Sequence, residues 1–178
     1  DGLDFYLGME ISSPTPNVIT LTSRTYISAL CGRFLEKPAD EYAAVHVPGD
    51  PKLIDYYEAA LSMRGSSSPE LVTRYLSIVG GILWPAPTTR IDVLTVAGIL
   101  ARAFSFPTED LFRCAVRCLI YLGQHPNYGV RFTGLCDGAD VITAWCDSDW
   151  SVSRSITGGA IQLAGGNIWA VSKRQECV

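Results

Sequence analysis

The sequence predicts an α+β protein in which a β-hairpin and a helical region precede an antiparallel sheet of three strands. Near the N-terminus, two short β-rich runs flank a turn-forming cluster, and helix signals then follow one another over residues 53–122. After residue 129 the spacing of apolar residues becomes that of strands joined by glycine-rich turns. Hydrophobic residues make up 48% of the 178 residues, which excludes intrinsic disorder because their burial can offset the entropy lost on folding.

The N-terminal part is predicted to be a β-hairpin followed by a helix. Residues 5–11 and 18–22 are β-rich, and the turn-forming cluster Ser-Ser-Pro-Thr-Pro-Asn lies between them. Ser23 is placed to cap the helix that follows. The apolar residues expected on the buried face of this helix are Tyr26, Ile27, Leu30 and Phe34. Residues 37–51 hold three prolines and a glycine, so we expect a loop there.

The middle of the chain is predicted to contain four helices. They cover residues 53–63, a stretch opened by Ser68-Pro69-Glu70, residues 91–104, and residues 107–122. A serine cap, a proline in the first helical position and an acidic residue near the positive end of the helix dipole form a strong start signal. The second of these helices is expected to bury Leu71, Tyr75, Ile78, Val79 and Ile82. Its Gly80-Gly81 pair indicates close helix packing, since glycine otherwise costs helix stability.

The C-terminal part is predicted to be β-rich. Strands are expected at residues 130–133, 140–147, 157–163 and 167–172, with a hairpin turn at Ala164-Gly165-Gly166-Asn167. We therefore divide the chain into a first unit at residues 1–123, a junction at residues 124–138 and a second unit at residues 139–178.

Charge, cysteines and hydropathy restrict the location and the partners. The net charge of −4 argues against a dedicated nucleic-acid binder, although a local basic patch is compatible with it. No apolar run approaches the roughly 20 residues of a membrane span, so no membrane partner is expected. No secretory signal is visible in the sequence. The six cysteines are scattered along the chain, and we interpret them as reduced thiols. We expect an intracellular protein, cytoplasmic or nuclear.

The strand that ends in Asp147-Ser148-Asp149 is the strongest candidate for chemistry. The two aspartates are two residues apart on a strand, so their carboxylates lie on the same side of the pleat. Carboxylates on a rigid element are typical ligands of Mg²⁺. The alternative is a turn in which one aspartate accepts a hydrogen bond from a backbone N–H group.

Other polar residues carry weaker signals. Cys114 and Cys118 share a helix face but have no second ligand pair, which favours buried thiols over a zinc site. Arg113 and Arg117 lie on the same helix and could contact a phosphate backbone, or could form an ordinary solvated face. His46 and His125 have no partner at a recognisable spacing, and we assign neither a catalytic role.

A series of motifs resembles the Pol polyprotein of copia-type (Pseudoviridae) retrotransposons. In order, they are Tyr6-Leu7-Gly8-Met9-Glu10-Ile11, Tyr75-x-Ser77-Ile78-Val79-Gly80-Gly81, Thr88-Thr89-Arg90-x-Asp92, Pro107-Thr108 with Tyr121-Leu122, Asp147-Ser148-Asp149-Trp150 and Ser172-Lys173-Arg174-Gln175. The resemblance implies that residues 1–123 are the C-terminal part of a reverse transcriptase, its last palm hairpin and helical thumb or connection. Residues 139–178 would begin a ribonuclease H-like domain.

The resemblance also implies a function and a site. The parent protein would be an RNA-directed DNA polymerase with ribonuclease H activity on RNA–DNA hybrids, and its partners would be the hybrid and the remainder of the polyprotein. Asp147 would be catalytic and would bind Mg²⁺ together with Asp149. The basic side chains expected to contact the hybrid are Arg113, Arg117, Lys173 and Arg174. Both catalytic sets are incomplete in this segment, so the alternative is a catalytically dead remnant that acts at most as a structural or interaction module.

Overall fold

A computed structural model of the chain describes residues 4–64, 67–134, 142–148 and 155–175. These residues form helices and two antiparallel sheets, which confirms the predicted α+β class. In chain order the elements are β1 (Phe5–Tyr6), β2 (Met9–Ser12), β3 (Ile19–Thr22), α1 (Arg24–Phe34), α2 (Leu53–Ser62), α3 (Pro69–Leu83), α4 (Leu94–Ala101), α5 (Glu109–Gln124), β4 (Gly129–Phe132), β5 (Thr143–Ser148), β6 (Ile156–Leu163) and β7 (Gly166–Arg174). Within the described ranges, no helix combines the length and the apolar character needed to cross a bilayer.

The first sheet has the strand order β1-β2-β3-β4 and differs from the prediction in two details. The stretch expected as one strand at residues 5–11 is two strands, because Leu7 and Gly8 adopt positive φ angles of 48° and 80° and reverse the chain. Residues 124–138, assigned above to a junction, contain β4. This strand pairs antiparallel with β3, with Arg131 opposite Thr20.

Helix α1 begins where predicted, but a different side chain caps it. Ser23 occupies the N-cap position without a side-chain cap bond, and its hydroxyl instead contacts Thr89 Oγ1 at 2.7 Å. The carboxylate of Glu10, on β2, accepts hydrogen bonds from the backbone N–H groups of Arg24 at 2.9 Å and Thr25 at 2.8 Å. Strand β2 therefore supplies the acceptor for the exposed N–H groups of the first helical turn.

Helix α3 follows its predicted start signal, and α5 also begins with a side-chain cap. Ser68 Oγ accepts from the N–H of Leu71 at 3.2 Å, and Thr108 Oγ1 accepts from the N–H of Leu111 at 3.4 Å. The helix expected at residues 91–104 is shorter. It opens with a 3-10 turn at Ile91–Val93, and α4 proper ends at Ala101. Residues 102–104 continue with bonds to the third residue back, a tightened end common at helix C-termini.

The core is a single hydrophobic cluster formed by α1 to α5. It buries most residues expected to face inward, namely Ile27, Leu30, Tyr75, Ile78, Val79 and Ile82. Gly81 has the predicted packing role, because a Cβ there would collide with Leu30 and because Tyr26 Oη donates to the Gly81 carbonyl at 3.0 Å. Gly80 faces open space and has no such role.

The second sheet is a meander with the order β5-β6-β7, as predicted. Its β6–β7 hairpin turns at Ala164 and Gly165, whose φ angles are 50° and 76°. The Thr133 N–H donates to the Ala164 carbonyl at 2.8 Å, and Thr95 of α4 contacts Ser172 of β7. These contacts fix the hairpin to the residue that follows β4 and to the first turn of α4.

Candidate functional site

An open groove of about 440 Å³ lies between the C-terminal end of α1, residues 42–45 and one face of α5. Helix α5 buries Leu111, Cys114, Ala115, Cys118, Leu119 and Leu122 in the core. Residues one or two positions further along the helix consequently face the groove. We call this feature the arginine-lined groove. Its lining residues are Phe34, Leu35, Glu36, Tyr42, Ala43, Val45, Arg74, Phe112, Arg113, Val116, Arg117 and Ile120.

Three aromatic rings of the arginine-lined groove are each covered by a cation. The Arg74 guanidinium lies 4.7 Å from the centroid of Phe112. Arg33 lies 5.0 Å from the centroid of Phe34, and Lys37 Nζ lies 4.7 Å from that of Tyr42. Cations over aromatic faces stay partly exposed while their stems cover apolar surface. The groove thus combines an apolar floor with positive charge at its edges.

Two of the basic residues predicted to contact nucleic acid line this groove. Arg113 is 70% exposed and forms an ion pair with Asp110 one turn earlier on α5. Arg117 is half-buried and donates from Nε to the Gly49 carbonyl at 3.3 Å and from a terminal nitrogen to the Val47 carbonyl at 3.4 Å. Arg117 therefore holds the 47–49 segment against the helix, whereas Arg113 remains accessible.

The lining contains three arginines, Arg74, Arg113 and Arg117, and one carboxylate, Glu36. The lining residues thus carry more positive than negative charge, although Asp110 pairs with Arg113 beside the groove and the whole chain has a net charge of −4. Sequence reasoning identified Arg113 and Arg117 but missed Arg74 and the aromatic residues. The neighbouring residues Arg33 and Phe34 could have indicated a cation beside an aromatic ring. The Arg74–Phe112 pair joins two helices, so no pattern within one helix predicts it.

The other two predicted basic residues lie elsewhere, on β7. Lys173 is exposed and Arg174 is half-buried. Successive residues of a strand point to opposite faces, so these two side chains leave the sheet on opposite sides. The four residues thus form no single patch: two belong to the arginine-lined groove and two to the second sheet. Their role in nucleic-acid binding stays a prediction.

The predicted metal site is only partly described. Asp147 lies on β5 with an exposed carboxylate, and its Oδ1 accepts from the Ser148 N–H at 2.8 Å. Asp149 lies outside the described residues. Among those that are described, no group of three or more His, Cys, Asp or Glu side chains could together hold a metal ion. The assignment of Asp147 and Asp149 to Mg²⁺, and of Asp147 to catalysis, stays a prediction.

The Thr-Thr-Arg-x-Asp motif forms a structural network around the buried side chain of Arg90. Arg90 is fully buried and donates two hydrogen bonds to the Asp92 carboxylate, from Nε at 3.0 Å and from a terminal nitrogen at 2.8 Å. Its other terminal nitrogen donates to the His125 carbonyl at 3.0 Å. Tyr121 Oη donates to Asp92 at 2.9 Å, and burial, followed by this bond, raises the pKa of Tyr121 to about 12. The network joins the start of α4 to the end of α5.

The described cysteines of the helical region are buried or half-buried thiols. Burial raises the pKa of Cys114 to about 11 and that of Cys118 to about 12. Burial also raises the pKa of Cys31 to about 11. Thiols with such pKa values are neutral near pH 7 and are poor nucleophiles. Cys114 and Cys118 are therefore packing residues, as predicted.

Comparison with known proteins identifies a related protein. Over 108 residues the chain is 32% identical to secreted RxLR effector protein 161 of Plasmopara viticola, and the match covers 58% of this chain and 75% of that protein. No family model matches the chain, and no solved structure matches it.

This relationship contradicts the predicted retrotransposon origin. The interpretation as a copia-type Pol polyprotein fragment was wrong, and so was the function inferred from it, a polymerase with ribonuclease H activity or its dead remnant. The Thr-Thr-Arg-x-Asp motif shows why the similarity of motifs was misleading. Its arginine and aspartate form an ion pair that stabilises the helical core, so packing can account for the pair without common ancestry.

The predicted location was also wrong. The expectation of an intracellular protein rested on reduced thiols and on the absence of a visible secretory signal, whereas the relative is a secreted protein. The burial of the thiols explains why the cysteines did not indicate the correct compartment. Cys114 and Cys118 are shielded in the core, so their reduced state carries no information about the compartment.

Proposed function

The chain belongs to the family of secreted RxLR effector protein 161 of Plasmopara viticola, and we propose that it is a secreted effector that binds a target protein. We assign the binding surface to the arginine-lined groove. The observation that carries the proposal is the coincidence there of an apolar floor and three arginines. An effector acts on a target molecule, and this groove is a surface with the chemistry to hold one.

The groove chemistry favours an acidic, hydrophobic segment of the target. Apolar side chains of the target would pack on Phe112, Val116 and Ile120, and its carboxylates would meet Arg74 and Arg113 at the edges. Arginine is suited to this contact because its planar guanidinium can bind both oxygens of a carboxylate. The groove volume of about 440 Å³ is enough for a few buried side chains of an amphipathic helix or extended segment.

A protein segment fits this surface better than a nucleic acid does. Nucleic-acid affinity comes largely from neutralising phosphates, and a chain with a net charge of −4 has no excess of positive charge for this. The groove walls are also mostly aliphatic and aromatic, which suits side chains of a protein. The predicted RNA–DNA hybrid is therefore the competing ligand in the test.

Fluorescence anisotropy with labelled probes tests the proposal. The first probe is a peptide of about 12 residues in which glutamate alternates with leucine around one tryptophan, long enough to cover the groove. The second has lysine in place of glutamate, and the third is an RNA–DNA hybrid. We expect the acidic peptide to bind and the basic peptide not to bind. Arg74→Glu and Arg113→Glu should each weaken binding about tenfold or more.

Arg131→Glu is the matched control. Arg131 is an exposed arginine of β4, away from the groove, and its reversal changes the net charge by the same amount. It should change the affinity by less than about twofold. Equal losses in the control and in Arg74→Glu would contradict the proposal. So would tighter binding of the hybrid than of the acidic peptide.

Secretion is tested separately in the producing cells. Immunodetection should find the protein in the culture medium, with a cytosolic enzyme of the same cells retained as the control for lysis. Detection of the protein in the cells alone would contradict the effector role without bearing on the binding chemistry of the groove.

A further inference from the structure

A second cluster of positive charge lies outside the arginine-lined groove, where β7 packs against α4. Thr95 Oγ1 and Ser172 Oγ are 3.2 Å apart, and a Cβ on Gly98 would lie 3.6 Å from the Ser172 carbonyl oxygen. Residues 95, 98 and 102 share one face of the α4 region, and residues 172 and 174 share one face of β7. The same packing therefore brings Arg102 towards Arg174.

Neither arginine has a compensating anion in the described part of the chain. Both side chains are half-buried, and neither guanidinium forms a hydrogen bond or ion pair with a described residue. Burial lowers the pKa of Arg102, Tyr57 raises it, and the neighbouring Arg174 lowers it. Two guanidinium groups that repel each other and have lost part of their hydration would gain stability from a shared anion.

We propose that Arg102 and Arg174 together bind a phosphate group, either as free phosphate or as part of a phosphorylated side chain. A phosphate dianion matches the charge of two guanidinium groups, and each group can donate two hydrogen bonds to its oxygens. Arg64 lies in the same region as Tyr57, the residue that raises the pKa of Arg102. Its guanidinium lies 4.7 Å from the centroid of Phe106, and that ring lies 6.2 Å from the ring of Tyr57.

This site is independent of the groove proposed for target binding. It is formed by α4 and β7, whereas the groove is formed by α1, α3, α5 and the 42–45 segment. The two proposals can therefore fail separately.

Thermal unfolding with phosphate tests the site. The melting temperature of the full chain is measured in sodium phosphate and in sodium chloride of equal ionic strength and pH. We expect phosphate at about ten times its dissociation constant to raise the melting temperature by about 3–5 °C. Arg174→Gln should abolish this rise. Without phosphate, Arg174→Gln should unfold at the same temperature as the wild type or higher, because it removes the repulsion from Arg102.

Two further variants control for general effects. Arg131→Gln removes an exposed arginine from β4 and should keep the full response to phosphate. Arg174→Lys keeps the charge but loses the forked donor geometry, so it should restore part of the response. A phosphate response that persists in Arg174→Gln would overturn the assignment. So would a wild-type response no larger than that to chloride.

The source of the phosphate is distinguished by calorimetric titration. Inorganic phosphate and a short phosphoserine peptide are titrated into the wild type and into Arg174→Gln. Tighter binding of the peptide identifies a phosphorylated partner as the ligand, whereas equal or weaker binding identifies free phosphate. Binding of neither probe to the wild type would refute the proposal.

Discussion

Replacing Glu10 by glutamine should destabilise the protein at neutral pH, because Glu10 caps helix α1 from a neighbouring strand. Its carboxylate accepts hydrogen bonds from Thr22 Oγ1 at 2.7 Å, from the Thr25 hydroxyl and from two backbone N–H groups of the first helical turn. Glutamine has the same shape but lacks the charge and has a single acceptor oxygen. The variant therefore weakens the cap and its interaction with the helix dipole.

The magnitude follows from the pKa of the carboxyl group. Burial alone would raise the pKa of Glu10, but the hydrogen bonds from Thr25, Thr22 and Arg24 outweigh it and lower the pKa from 4.5 to about 2. In a buried site such a shift would correspond to about 3 kcal/mol of stability. Because Glu10 is partly exposed and solvent screens the interaction, we expect about 1–2 kcal/mol, within the range for helix caps.

Urea denaturation followed by circular dichroism measures this effect against pH. A carboxyl group with a lowered pKa stabilises the folded state above its unfolded pKa, and the contribution disappears as the pH falls from about 4.5 towards 2. The difference between wild type and Glu10→Gln should therefore be full at pH 7 and small near pH 2. Glu58→Gln, at an exposed position of α2, is the matched control and should change little. A Glu10→Gln difference that is absent at pH 7 would refute the capping argument, as would one that is constant down to pH 2.

Two further pairs of substitutions test the packing at Gly81 and the ion pair of the buried Arg90. Gly81→Ala should lower the free energy of unfolding by about 1–2 kcal/mol because the added methyl group meets a buried leucine of α1. Gly80→Ala should raise the free energy of unfolding by about 0.5–1 kcal/mol because its methyl group meets open space. Urea denaturation measures both values, and the reverse order would contradict the packing role of Gly81. Asp92→Asn should cost about 3 kcal/mol because it leaves the buried Arg90 guanidinium without a counterion. Asp110→Asn, at an exposed ion pair, should cost less than about 1 kcal/mol by the same assay, and equal losses at the two sites would show that Arg90 is compensated elsewhere.

The order of elements was predictable because its signals are local. The cap Ser68 and the glycine-rich turn at residues 164–167 each act through bonds a few residues apart, and both were identified. The break at Leu7-Gly8 was missed. Leucine rarely adopts a positive φ angle, so only pairing of the flanking strands reveals the turn.

The candidate site was predictable only in part, because its residues come from separate elements. Arg113 and Arg117 are four residues apart on one helix, and that spacing alone placed them on a common face. Arg74 reaches the groove only because α3 packs beside α5. The same limit applies to the interpretation of motifs. Arg90 is buried and pairs with Asp92 at the edge of the core, and packing alone can account for such a pair.

The sequence by itself determined the α+β class, the approximate extent of the helices and the identity of most core residues. These depend on hydrophobic period and on capping within one turn. Tertiary structure alone decided that Glu10 rather than the side chain of Ser23 caps α1, that β4 joins the first sheet, and that a positive groove exists on a chain of net negative charge. Each of these depends on contacts between residues distant in the chain, which become neighbours only when the helices pack and bury their apolar faces.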